Sequence, residues 1–114
     1  MYFYRFFLLA ILVVNLYPKP NSSAGDMKML SVASSVKKLT DGGYTFHEDT
    51  KFVVLDVQDN DVYVTYNNNQ TPSATVGHIL YAGNSYTWDI QTAKAANFIR
   101  VGGDAIVAAS QFTQ

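Results

Sequence analysis

The chain has 114 residues, 48% hydrophobic and 14% aromatic, with eight Lys and Arg, nine Asp and Glu, and a formal net charge of −1. That length allows one domain around a modest core, and the near-neutral balance, with Lys37-Lys38 its only adjacent basic pair, excludes the clustered cations that a nucleic-acid partner requires. Cysteine is absent, so no disulfide framework is available and association between subunits is the expected way to make up for a thin core.

The chain opens on Met1 to Tyr17, almost wholly apolar, with Arg5 as its one charge and Phe6 to Val14 an unbroken apolar run. A helix needs about 20 apolar residues to cross a bilayer, so the run is short for a span. Three readings stay open: a signal peptide cut near Ser22-Ser23-Ala24, an uncleaved arm that anchors the domain to a membrane or a protein, and an extension upstream of a start at Met27. If it is retained, a buried arm or anchor is expected. A membrane contact is expected only through residues 1–17. The chain therefore divides into a hydrophobic N-terminal segment, 1–26, and a domain, 27–114. From Met27 onward six basic residues face eight acidic ones.

Beyond Met27 an alternation of period two predominates, which predicts strands. Ser35 to Leu39 and Tyr44 to Phe46 read as short strands around a Gly42-Gly43 turn. Phe52 to Val57 and Val62 to Tyr66, rich in β-branched and aromatic residues, are separated by Asp59-Asn60-Asp61 and predict a hairpin. Asn67 to Ser73 is a polar loop whose Pro72 has no place in a central strand. Val76 to Tyr81, the turn Ala82-Gly83-Asn84 and Ser85 to Ile90 predict a second hairpin, with Tyr86 and Trp88 on one face. Thr92 to Ala96 favours helix but is long enough for one turn or a crossover. Asn97 to Val101, a Gly102-Gly103-Asp104 turn and Ala105 to Phe112 close the chain. Seven or eight short strands at this spacing define an all-β fold, a small antiparallel β-sandwich of jelly-roll-like form.

Catalytic equipment is not recognisable. His47-Glu48-Asp49 gathers three ligand types, but successive strand residues point to opposite faces. His78 stands beside Gly77 as a structural residue. Asp56, Asp59 and Asp61 crowd one turn without the glycine and terminal glutamate of a calcium loop. No phosphate loop, nucleophile elbow or carboxylate pair in a cleft is present. No enzymatic activity, metal or cofactor is expected. Asn21-Ser22-Ser23 and Asn69-Gln70-Thr71 fit the glycosylation pattern, which matters only in a eukaryotic secretory path. Aromatic residues are the conspicuous feature: Tyr63, Tyr66, Tyr81, Tyr86 and Trp88 are more than a small core hides easily, and such residues favour interface centres. These five form the expected interaction surface.

The segments Val62-Tyr63-Val64, Ser73-Ala74-Thr75-Val76-Gly77, Tyr81-Ala82-Gly83-Asn84-Ser85-Tyr86, Asn97-Phe98-Ile99-Arg100-Val101 and Ala105-Ile106-Val107 together resemble the small β-sandwich virion proteins of tailed bacteriophages, the capsid decoration or cement proteins and related head or tail accessory modules. The resemblance covers about Ser35 to Gln114 and rests on strands and glycine turns; residues 1–26 depart from it. It implies a virion component that stabilises the capsid through contacts with the major capsid protein or other virion subunits, commonly as a trimer. The alternative is a secreted or surface-anchored module that binds carbohydrate or protein through Tyr86, Trp88 and the Asn67 to Gln70 loop.

Overall fold

The computed structural model describes residues 27–113. Seven strands are formed: β1 (Lys28–Val32), β2 (Phe52–Gln58), β3 (Val62–Thr65), β4 (His78–Leu80), β5 (Ser85–Asp89), β6 (Asn97–Arg100) and β7 (Ala105–Phe112). Among the described residues a 3-10 turn, Leu39–Gly42, and one short helix, α1 (Ile90–Ala95), complete the elements. The strands make two sheets, β1-β7-β2-β5 and β4-β3-β6, with every pairing antiparallel. The expected all-β sandwich is what forms.

The pairing scheme identifies the sandwich more closely. An isolated bridge joins Lys37 to Phe98 on the free side of β6, a vestigial extra strand. Counting it, β1 pairs β7, Lys37 pairs β6, β2 pairs β5 and β3 pairs β4, which are the contacts of one long hairpin with its tip between β3 and β4. Rolling that hairpin adds β2 against β7 and β3 against β6, closing a jelly roll.

This arrangement corrects the two predicted hairpins. β2 and β3 lie in different sheets, as do β4 and β5, and the turn at Gly102-Gly103 likewise leads from β6 in one sheet to β7 in the other. Each tight turn is a corner. The physical reason is that β2 and β5 must each turn an inner apolar face to the opposite sheet, which a flat two-strand ribbon cannot bury. The one sequential pair that does join, β3 with β4, is separated by the polar loop around Pro72.

Other differences are local. Ser35 to Leu39 makes only the Lys37 bridge before the 3-10 turn, and Tyr44 to Phe46 is not a strand although Tyr44 is buried. Gly42-Gly43 is not a hairpin turn: Gly42 ends the 3-10 turn and Gly43 caps it at φ 80°. β1 was not anticipated. Its Leu30 and Val32 face inward while Lys28, Met29 and Ser31 stay exposed. Helix α1 is the expected short crossover, started by the Asp89 carboxylate, which accepts the Thr92 N–H at 3.0 Å; the Thr92 side chain first, and then that N–H, hold it below the usual carboxylate range.

The core follows from strand alternation. Val53, Leu55 and Val57 of β2, Val62 and Val64 of β3, and Val107 of β7 are buried between the sheets with Leu30, Val32, Leu39, Leu80 and Phe98. Each such burial contributes about 1.5–3 kcal/mol before ordering costs. Among the described residues no helix is long and apolar enough to cross a membrane. The hydrophobic segment 1–26 lies outside the described residues.

Candidate functional site: the outer face of the second sheet

The outward residues of the β4-β3-β6 sheet form three rows across it. In the middle row Tyr63 lies opposite Ile79 on one side and Ile99 on the other. The Lys37 bridge brings Val36 next to Ile99. Val36 and Ile79 are 38% and 39% exposed. Tyr63 and Ile99 between them are half-buried, so the row is apolar, uncharged and partly open to solvent, although strand alternation ordinarily places polar residues there. On one flank stand Val101, Asp61 and Tyr81, the last 53% exposed. Asp61 is engaged, its carboxylate accepting the Ala82 N–H at 2.8 Å.

The other flank is covered by the chain itself. Thr65 and Asn97 sit opposite one another on the outward face, yet both are 2% exposed, because the loop after β3 folds back over them. The Asn97 side-chain amide donates to the carbonyls of Asn67 at 2.7 Å and Gln70 at 3.0 Å, and the Thr65 hydroxyl donates to the same Gln70 carbonyl at 2.6 Å. From the far side Lys38 Nζ donates to Asn68 Oδ1 at 2.7 Å. Pro72 is fully buried beneath the return of the loop. Buried donors that spend themselves on loop carbonyls fix a segment that otherwise has no regular partner.

Where this loop meets β4 the surface dips into an open depression of about 380 Å³ lined by Thr65, Tyr66, Asn67, Gln70, Gly77 and His78. Gly77 is required at its rim: φ is +109°, and a Cβ there would lie 2.3 Å from the Val64 carbonyl oxygen.

The five expected surface aromatics are divided by this geometry. Tyr63 and Tyr81 belong to the open face, and Tyr66 stands in the depression. Tyr86 and Trp88, on one face of β5 as expected, turn inward and pack against the core. Trp88 stacks on Phe98 with ring centroids 5.9 Å apart and meets Tyr66 edge-on at 5.3 Å. The Tyr86 hydroxyl accepts the Tyr81 N–H at 2.9 Å. Burial, and then the nearness of Tyr86, hold the Tyr66 phenol above its ordinary range. One face of Trp88 is thus taken by Phe98 and its ring is half-buried.

The remaining candidates separate. Asp56 accepts from the Ser85 hydroxyl while Asp61 binds Ala82, so the crowded acids of that turn serve different partners. Among the described residues no group of three His, Cys, Asp or Glu side chains is placed to hold a metal. His47 lies at a second shallow depression with Lys28, Gly43, Thr45 and Gln111. There Gln111 is a buried brace, accepting from His47 N–H at 2.9 Å and the Thr50 hydroxyl and donating to the Thr45 carbonyl at 2.7 Å. Sequence reading missed Ile79, Ile99, Thr65 and Asn97; the signal for Asn97 was a lone amide between the apolar Ala96 and Phe98. No protein-family model matches the chain, and neither a curated protein nor a solved structure does.

Proposed function

We propose that the chain is a non-enzymatic virion module, a decoration or cement protein that stabilises a capsid by seating the outer face of its second sheet against neighbouring subunits. The observation that carries this reading is the uncharged row of Val36, Ile99, Tyr63 and Ile79, its two ends exposed and its middle half-buried, on a face that a solitary domain would cover with polar side chains. A jelly roll is one of the architectures of capsid proteins, and also of lectins, so the fold is compatible with the reading and does not decide it. The cysteine-free core and the sheet edges at β1 and β4 suit a protein whose stability is completed by symmetric neighbours, a trimer being the expected form.

Native mass spectrometry of the purified protein tests it, giving chain mass and assembly state together. A trimer, or a component of a larger symmetric particle, that dissociates on Ile79→Lys is expected. A monomer at micromolar concentration that also fails to join particles would sink the reading.

A further inference from the structure

We propose that the depression between Tyr66 and His78 is a binding site for a neutral saccharide, a site independent of the apolar face. Its lining contains no Asp, Glu, Lys or Arg, which disfavours phosphates, carboxylates and cations, since a buried or half-buried charge calls for an opposite one. It offers both donors and acceptors without charge. Asn67 Oδ1 is used internally, accepting the Asn69 N–H at 3.0 Å. Among the described residues the Asn67 NH₂, the Gln70 side-chain amide and the His78 imidazole make no hydrogen bond within the chain. Three amide and imidazole groups with unspent hydrogen-bonding capacity thus surround one hollow. Vicinal hydroxyls, each donor and acceptor at once, complement such a set.

The aromatic wall has the second property a sugar needs. Tyr66 is 39% exposed and held from behind, edge-on to Trp88 and 6.0 Å from the His78 ring. An apolar ring fixed beside neutral polar groups receives the C–H face of a pyranose while the polar groups receive its hydroxyls. The hollow is also built in advance. Asn97 and Thr65 pin the loop through its carbonyls, Asn67 and Gln70 are exposed and line the hollow, and Gly77 lets β4 approach Val64 closely. Ordering costs that weaken loop-borne sites are therefore met within the fold. The volume, about 380 Å³, and the openness of the hollow suit one or two sugar units of a longer chain entering from solvent.

A glycan array probed with the full chain, carrying neutral and anionic glycans, tests the assignment. Binding to a subset of neutral glycans is expected, weakened about tenfold or more by Gln70→Ala and by His78→Ala and unchanged by Ile79→Lys on the apolar face. Neither depression variant removes a bond that holds the loop, because Gln70 acts there through its main-chain carbonyl. No signal from any neutral glycan, a signal confined to anionic glycans, or binding retained in both variants overturns it. Since Ile79→Lys tests assembly separately, loss of one reading leaves the other standing.

Discussion

The Trp88 indole lies nearly parallel to the ring of Phe98, centroids 5.9 Å apart and planes inclined by 16°, so that an edge strand of one sheet is held to β6 of the other. Trp88→Ala removes that stack and exposes fully buried Phe98. A loss of about 3–4 kcal/mol in urea-induced unfolding is expected, with Trp88→Phe recovering roughly half. A loss under 1 kcal/mol would mean that the stack is incidental to stability.

Asn97→Ala removes the buried amide that the Asn67 and Gln70 carbonyls share, leaving Gln70 with the Thr65 hydroxyl alone. The expected cost is about 2–3 kcal/mol, with faster amide exchange concentrated in residues 66–73. Asn97→Asp is expected to be worse at neutral pH, because a carboxylate would face two carbonyl oxygens. Uniform exchange across the domain would argue against a local clamp.

Tyr44 is 3% exposed and its hydroxyl is the one buried side-chain polar atom without a hydrogen-bond partner among the described residues. Tyr44→Phe is therefore expected to raise stability by about 1 kcal/mol. Burial also pushes the phenol up to about 12, against about 10 in the unfolded chain. A raised value means that the folded state resists losing the proton. The associated stability is fully present below about pH 10 and is lost as pH rises through 12. Thermal melts between pH 9 and 12 should fall more steeply for the parent than for Tyr44→Phe.

Two glycines of similar backbone conformation should respond differently. Gly83, at φ +87°, has open space where a Cβ would go, whereas Gly77, at φ +109°, has the Val64 carbonyl there. Gly83→Ala is expected to cost about 1 kcal/mol from strain alone. Gly77→Ala should cost at least about 3 kcal/mol, because main chain must move as well. Equal melting temperatures for the two variants would contradict the close approach.

On the open face, Ile79→Lys should change the monomer's unfolding free energy by less than about 1 kcal/mol, since the side chain is already well exposed. Its predicted effect is on association, read by sedimentation velocity. A large fall in intrinsic stability would show that Ile79 serves the fold and not a neighbour.

Strand positions were legible because alternation is a local property. Ala105 to Phe112 and Ser85 onward were placed nearly as they stand, since each inward side chain is visible every second residue. Pairing was not legible. Asp59-Asn60-Asp61 carries turn chemistry, and Asp59 does adopt φ +73°, but the same chemistry serves a corner between sheets as well as a hairpin. Which occurs depends on where β5 and β7 finally lie. The site was half visible for the same reason. Tyr63, Tyr66 and the Asn67 to Gln70 loop drew notice by composition, whereas burial of Thr65 and Asn97 on an outward face depends on a loop folding back, which no periodicity records.

The rolled long hairpin has a consequence for how the chain is made. β7 lies between β1 and β2 in the first sheet, so Leu30 must await Val107, and Leu55 must await Ala109, from the far end of the chain. During synthesis that sheet stays divided until β7 leaves the ribosome, with β1 and β2 exposed meanwhile. Folding should be slow and nearly all-or-none. A chain ended shortly before Ala105 would keep most of its apolar residues and none of the strand that joins β1 to β2.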